Sequence, residues 1–93
     1  MDLTRGHIVY SRAGHDKGQL FYVMDAEENF LLLADGKRRK ADRPKRKKRM
    51  HAAHAGSFGH SVTTRISAGE SVSDSELRKA LAAFRSELES RRV

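Results

Sequence analysis

Residues 6–23 read GHIVYSRAGHDKGQLFYV, a pattern that predicts two β-strands joined by a tight loop. The side chains of residues 6–11 and 19–25 are largely β-branched, aromatic or aliphatic, which is typical of strands. The residues between them, 12–18, include two glycines and an aspartate, which is typical of a loop. We therefore expect a β-hairpin near the amino end of the chain.

The loop of this hairpin has the features of a phosphate-binding loop. Gly14 and Gly18 frame it, and each glycine permits a positive φ or a close approach of the backbone to a ligand. Backbone N–H groups in such a loop can donate to an anion. Three side chains of the loop can add hydrogen bonds or positive charge, namely Arg12, His15 and Lys17.

Three further strands are predicted downstream of the hairpin. Residues 30–34 are apolar and predict a third strand. Asp35 and Gly36 follow directly, and an Asp-Gly pair between extended segments predicts a two-residue turn in which both residues need a positive φ. A fourth strand would then cover residues 37–42 and a fifth residues 45–54, so the sequence predicts a mainly β fold.

The carboxyl-terminal part predicts a linker followed by a helix. Residues 55–72 are rich in glycine, serine, alanine and threonine, and we interpret them as a linker. Ser73 and Glu76 have the spacing of a capping box, which predicts a helix over residues 73–92. Its apolar stripe would pack against the strands of this chain or against a partner or second copy. The stripe consists of Leu77, Leu81, Phe84 and Leu88.

The positive charge of the chain is concentrated in one window. The 93 residues carry a formal net charge of +7, yet residues 37–49 alone carry +9 and the other 80 residues carry −2. Closely spaced like charges repel one another, and a polyanion neutralises them and releases its counterions. The window therefore predicts a nucleic-acid contact surface, with a solvated tail or a targeting signal as the alternative. Its bases are Lys37, Arg38, Arg39, Lys40, Arg43, Lys45, Arg46, Lys47, Lys48 and Arg49.

Several classes of protein are excluded by composition. The chain has no cysteine, which removes thiolate zinc sites, disulfide scaffolds and thiol nucleophiles. Its longest apolar runs, residues 20–24 and 30–34, are far shorter than the roughly 20 residues of a membrane span. No apolar segment follows the first five residues as a secretory signal would require. We expect a soluble, cytoplasmic protein.

Catalytic and metal chemistry find no support in the sequence. His51, His54 and His60 are too loosely spaced, in an alanine- and glycine-rich segment, to predict a metal site. No plausible buried pair of carboxylates is predicted among the acidic residues in or beside the predicted loops, Asp16, Asp25, Glu27, Glu28 and Asp35. Ser57, Ser61 and Thr63 have no evident base and orienting acid. We expect a protein that is not an enzyme and has no cofactor or bound metal.

The order of residues in the hairpin resembles the KOW motif, an RNA-binding module of ribosomal proteins and transcription elongation factors. The resemblance rests on Gly6, Val9, Ser11, Ala13, Gly14, Asp16, Lys17, Gly18 and Val23. The following LLLADGKRRKADRPKRKKRMH, residues 31–51, is similar to the second half of a small bacterial family of KOW-domain RNA-binding proteins. That family is in turn similar to large-subunit ribosomal proteins of archaea and eukaryotes. SDSELRKALAAFR, residues 73–85, also resembles this family.

The resemblance implies an SH3-like five-stranded β-barrel over residues 1–54, followed by a carboxyl-terminal α-helix. It implies binding of structured RNA, ribosomal RNA in particular, and association with the ribosome and translation. The KOW loop carries over onto residues 12–18, with the backbone of Gly14 and Gly18, and the basic hairpin onto residues 37–49. Each of the ten bases of that window is then a candidate RNA contact.

Two other functions remain open at this point. The protein could be a docking module of the transcription and translation machinery, with the barrel and the helix as its partner surface. It could also bind polyanions without a fixed site. For RNA, splayed bases commonly stack on exposed aromatic side chains, and Tyr10, Phe21 and Tyr22 are the candidates unless they belong to the core. We expect recognition mainly by shape and backbone charge.

Overall fold

Five β-strands form one antiparallel sheet in the computed structural model, which describes residues 2–91. The strand order is β4-β3-β2-β1-β5. The strands are β1 Ile8–Ser11, β2 Leu20–Ala26, β3 Phe30–Ala34, β4 Lys45–Lys48 and β5 Ala52–Gly56. Two α-helices follow, α1 Ser61–Ser67 and α2 Asp74–Ser90. The prediction of a mainly β fold with a carboxyl-terminal helix is confirmed.

Side chains alternate between the two faces of the sheet along each strand, and each face carries a cluster of buried apolar side chains. One face packs against the two helices, and its central residues are Ile8, Leu20 and Tyr22. The opposite face forms a second cluster. The buried residues of that second cluster are Leu3, Val9, Phe21, Val23, Leu31, Leu33 and Ala52.

The two edge strands are neighbours along the chain although they lie at opposite edges of the sheet. Only a single 3₁₀ turn, Arg49–His51, separates β4 from β5. Such a short connection requires the sheet to curl so that its edges approach. Within residues 2–91, β4 pairs with β3 and β5 pairs with β1, and no ladder of hydrogen bonds joins β4 to β5.

The predicted turn at Asp35-Gly36 and the fourth strand over residues 37–42 were wrong. Residues 35–44 form a loop instead, because Asp35 Oδ1 accepts hydrogen bonds from the backbone N–H groups of residues 37–39 at 2.9–3.0 Å. Of the two residues of the predicted turn, Gly36 has a positive φ, of +79°, and Asp35 does not. The predicted fifth strand, residues 45–54, is divided into β4, the 3₁₀ turn and the start of β5.

The predicted linker, residues 55–72, contains the end of β5 and the whole of α1. Val62 and Ile66, four residues apart on α1, are 3% and 2% exposed and belong to the core beneath the helices. The hydroxyl groups of Thr63 and Tyr22 lie 2.8 Å apart and join α1 to β2. A helix of seven residues is unstable alone, so this packing maintains it.

The capping box predicted for the last helix is confirmed. Ser73 Oγ accepts from the N–H of Glu76 at 3.1 Å, and Glu76 Oε1 accepts from the N–H of Ser73 at 2.9 Å. The predicted end at residue 92 lies outside the described residues. The apolar stripe packs on the chain's own sheet, with Leu77, Leu81 and Phe84 buried. Neither helix of residues 2–91 has the length and apolar character that a membrane crossing requires.

Candidate nucleic-acid interface

The two candidate basic segments lie at the same end of the sheet. The β1–β2 connection, residues 12–19, and the β3–β4 connection, residues 35–44, both join adjacent antiparallel strands. In such a meander, alternate connections emerge from the same end. The structure therefore brings the glycine-framed loop to the same end of the sheet as five of the ten bases of the window. The exposed basic side chains of these two loops, here called the loop surface, are Arg12, His15, Lys17, Lys37, Arg38, Lys40 and Arg43.

The glycine-framed loop is anchored by a buried ion pair. Lys47 Nζ of β4 lies 2.8 Å from Asp16 Oδ1, and it also donates to the carbonyl oxygen of Ala13 at 2.7 Å. Ser11 Oγ lies 2.7 Å from the same carboxylate oxygen. The side chains of Lys47 and Asp16 are only 7% and 6% exposed. Gly14 and Gly18 have φ values of +84° and +86°, as the tight loop requires.

Asp16 is ionised in this environment. Burial alone would raise the pKa of its carboxyl group, but the hydrogen bonds from Lys47 and Ser11 outweigh that effect and hold the pKa below its usual value. The second carboxylate oxygen, Oδ2, is buried without a hydrogen-bond partner, and Lys45 Nζ lies 3.9 Å from it. The loop thus contains a fixed negative charge balanced by β4.

Lys47, which the sequence analysis names as a candidate RNA contact, is buried and paired with Asp16 and is not exposed on the surface. The residue opposite Lys47 on β3 is the fully buried Leu31, so both side chains point to the face of the sheet that does not contact the helices. Lys45, two residues earlier, is half-buried on that side. The sequence analysis names all ten bases as candidate RNA contacts, but strand alternation directs neighbouring bases of β4 to opposite faces, so the ten do not share one surface.

Two arginines of the basic window are also engaged away from the loop surface. Arg46 lies 2.8 Å from Glu27, and its guanidinium carbon is 3.7 Å from the centroid of the Phe30 ring. Arg49 donates to the carbonyl oxygens of Leu3, Glu27 and Glu28. Both contacts lie near the β2–β3 connection, at the opposite end of the sheet. Arg39 is half-buried, and Lys48 is exposed on β4.

A groove between the loops and α2 adds two basic residues that sequence reasoning missed. Arg78 and Arg85 of α2 line this groove of about 430 Å³, and we call it the α2 groove. Their spacing of seven residues, about two helical turns, was the available signal because it places them on one face of the helix. The other lining residues are Gly18, Gln19, Leu20, Asp35, Lys37 and Leu81.

The aromatic candidates for base stacking belong to the core. Phe21 and Tyr22 are fully buried, and Tyr10 is half-buried against the cluster that includes the helices. Burial raises the pKa of the Tyr22 hydroxyl, and the hydrogen bond with Thr63 opposes that rise only in part. Phe21 and Tyr22 are therefore not available to splayed bases, and Tyr10 exposes only part of its side chain.

No model of a protein family matches the chain, and no curated protein is similar to it. Within residues 2–91, no group of three or more histidine, aspartate and glutamate side chains has an arrangement that could hold a metal ion. The function is therefore inferred from the residues and geometry of this chain.

Proposed function

We propose that this protein is a non-enzymatic RNA-binding protein, and that the loop surface contacts the RNA backbone. The observation that carries the proposal is the meeting of two cationic loops at one end of the sheet. Among the described residues, no carboxylate lies within 4.0 Å of a charged nitrogen of Lys37, Arg38, Lys40 or Arg43. Such unpaired cations favour a polyanion, which gains counterion entropy when it binds them.

The proposed ligand is structured RNA, with ribosomal RNA as the class that the KOW resemblance suggests. Arginine donates two parallel hydrogen bonds to a phosphate, whereas lysine acts as a point charge. Contacts of this kind position a protein on the backbone without reading base identity. Double-stranded RNA is recognised mostly through its shape and backbone, which fits a surface without exposed aromatic side chains. Association with the ribosome and translation is part of this proposal.

We further propose that the curled sheet is an SH3-like barrel of the KOW type. Three features support this assignment. The edge strands β4 and β5 are consecutive in the chain, a single 3₁₀ turn joins them, and an apolar cluster fills the inner face. The buried Asp16–Lys47 contact adds a polar link between the first hairpin and β4.

The RNA-binding proposal predicts a steep dependence of affinity on salt. If the loop surface neutralises about five phosphates, the slope of log affinity against log salt is about −3.5 when they lie in single-stranded parts of the RNA, and it is steeper when they lie in a duplex. The affinity should then fall roughly 100-fold between about 50 and 200 mM salt. Filter binding over a salt series measures this slope, and a flat response would contradict the electrostatic mechanism.

A pair of double variants locates the contact. Arg38→Ala with Lys40→Ala should reduce the magnitude of the salt slope by about 1.4, because two phosphate contacts are lost. Lys48→Ala with Lys79→Ala removes the same charge from exposed positions outside the loop surface and should leave the slope almost unchanged. Equal effects of the two double variants would exclude the loop surface as the site.

A docking function is the second candidate, and one observation favours it. Met50 is 69% exposed, the single large hydrophobic side chain so exposed among residues 2–91, and it lies beside Phe30 at the opposite end of the sheet. The stripe of α2 does not support docking, because the chain's own sheet covers it. Pull-down from lysate with and without ribonuclease separates the functions. Partners that persist after ribonuclease favour docking, and partners that are lost favour RNA.

A further inference from the structure

We propose that α2 is part of the RNA site and that the α2 groove binds a backbone phosphate through Lys37, Arg78 and Arg85. This inference rests on the proposed RNA binding and deepens it. It assigns a ligand-binding role to a helix whose apolar side serves the core. The chemical class of ligand is a phosphodiester, with free inorganic phosphate as the simplest probe.

The α2 groove has the charge and shape of an anion site. Three cations and one carboxylate line it, which leaves a net charge of +2. Leu20 and Leu81 form apolar parts of its lining, and the space where a Gly18 side chain would stand is open for 4 Å around. A ligand can therefore approach the backbone of the glycine-framed loop while it contacts the helix.

The carboxylate in the groove belongs to Asp35, and its charge is already engaged. Asp35 Oδ1 accepts three backbone hydrogen bonds from residues 37–39, at 2.9–3.0 Å. These bonds stabilise the carboxylate and fix the loop that carries Lys37. The carboxylate thus shapes the groove, and the cations outnumber it.

Arg78 is held in position before any ligand arrives. Its Nη1 donates to the carbonyl oxygen of Gly36 at 2.6 Å. A guanidinium has five N–H donors, so the donors that this hydrogen bond does not use can contact a phosphate. The loop itself is fixed to the helix, because the N–H of Ala41 donates to Asp74 Oδ1 at 2.7 Å. The backbone of Gly36 lies so close to the amino end of α2 that a Cβ at this position would collide with the carbonyl oxygen of Asp74. A preformed site binds without the entropic cost of ordering its side chains and loops.

Arg85, like Lys37, is a cation of the groove without a carboxylate partner among the described residues. It is exposed, and no carboxylate of residues 2–91 lies within 4.0 Å of its charged nitrogens. Two helical turns separate it from Arg78, a rise of about 10.5 Å along the axis. Because Lys37, Arg78 and Arg85 all line the groove, a phosphate in it would lie among three cations.

The test compares Arg85→Gln with Lys79→Gln. Both residues are exposed on α2 and each substitution removes one positive charge, but only Arg85 lines the groove. Arg85→Gln should weaken RNA binding about tenfold, the effect of one charged hydrogen bond, and reduce the salt slope by about 0.7. Lys79→Gln should change affinity less than about twofold, as a distant screened charge would. Thermal unfolding of both variants checks that the fold is kept.

The outcomes separate this inference from the proposed function. If both variants bind RNA equally well, the α2 groove proposal is overturned while RNA binding stands. If the unmodified protein binds no RNA, the proposed function fails, and titration with inorganic phosphate decides the groove. The α2 groove proposal would then be supported if added phosphate moves the NMR signals of the Gly18 and Lys37 amides in the unmodified protein but not in Arg85→Gln. It would be overturned if phosphate does not move these signals in the unmodified protein.

Discussion

Lys47 belongs to the basic window, whose composition indicates nucleic-acid binding, yet its ion pair with Asp16 is buried and stabilises the fold. The sequence reveals ten bases in the window, but it does not show which base the fold uses. That depends on register, because Lys47 lies opposite the buried Leu31. A shift of one residue would direct the other set of bases inward. The identity of the buried base was therefore beyond prediction from the sequence.

Replacement of Lys47 should destabilise the protein more than replacement of its neighbours. Lys47→Ala leaves the buried Asp16 carboxylate with the more distant, half-buried Lys45 at 3.9 Å as its remaining cation. The free energy of unfolding should therefore fall by about 3 kcal/mol, the lower end of the cost of breaking a buried ion pair. Lys48→Ala, at an exposed position of the same strand, should cost less than about 0.5 kcal/mol. Urea unfolding followed by circular dichroism measures both. Equal costs would show that the pair does not stabilise the fold.

Acidification provides a second readout of the same pair. The folded-state pKa of Asp16 lies below its usual value, so its contribution to stability is present above about pH 4 and is lost as the pH falls further. In Lys47→Ala, burial without the lysine raises the pKa of Asp16, and protonation then favours the folded state. The difference in unfolding free energy between the two proteins should therefore narrow between neutral pH and pH about 3.

At the scale of elements, strands β1 to β3 could be predicted and two other segments could not. The strands follow from β-branched, aromatic and apolar runs bounded by loop residues. The 35–44 loop could not be predicted, because one side-chain oxygen of Asp35 satisfies three backbone N–H groups and prevents the tight turn. Helix α1 is also too short for a periodic signal, with two core residues in a polar segment.

Helix α1 should behave as part of the core. Ile66→Ala removes a side chain that is 2% exposed and should lower the free energy of unfolding by about 2–5 kcal/mol. A flexible linker would tolerate the same change within about 0.5 kcal/mol. Thr64→Ala, at an exposed position of α1, is the matched control. Chemical denaturation of the three proteins gives both differences, and a small effect at Ile66 would contradict the packing described for α1.

At the scale of the whole molecule, the helices and the sheet share one apolar cluster. Ile8, Leu20 and Tyr22 of the sheet contact a cluster that contains residues of both helices. The sequence predicted the composition of this assembly, strands followed by an amphipathic helix, but it left open whether that helix packs on its own sheet. Several buried residues of α1 and α2 cover this face of the sheet, so the last helix packs on its own sheet.

A shared core predicts a single cooperative unfolding transition. The near-ultraviolet circular dichroism of the tyrosines reports the packing around Tyr22, whose hydroxyl group is hydrogen-bonded to Thr63. The far-ultraviolet signal reports mainly the helical structure of α2. Both should have the same denaturant midpoint, as two-state unfolding requires. A helix that melted before the tyrosine signal changed would show that α2 is a separate unit.

The burial of Lys47 has a practical consequence for measurements on crowded samples. Amine-acylating reagents modify lysines that solvent can reach, and the amine of Lys47 lies beneath the glycine-framed loop, whereas that of Lys48 is exposed. Acylation of Lys47 therefore requires the loop or the entire molecule to open. The ratio of label at these two adjacent positions, measured by mass spectrometry, would report the fraction of opened molecules directly in a lysate, without purification and without any change to the sequence.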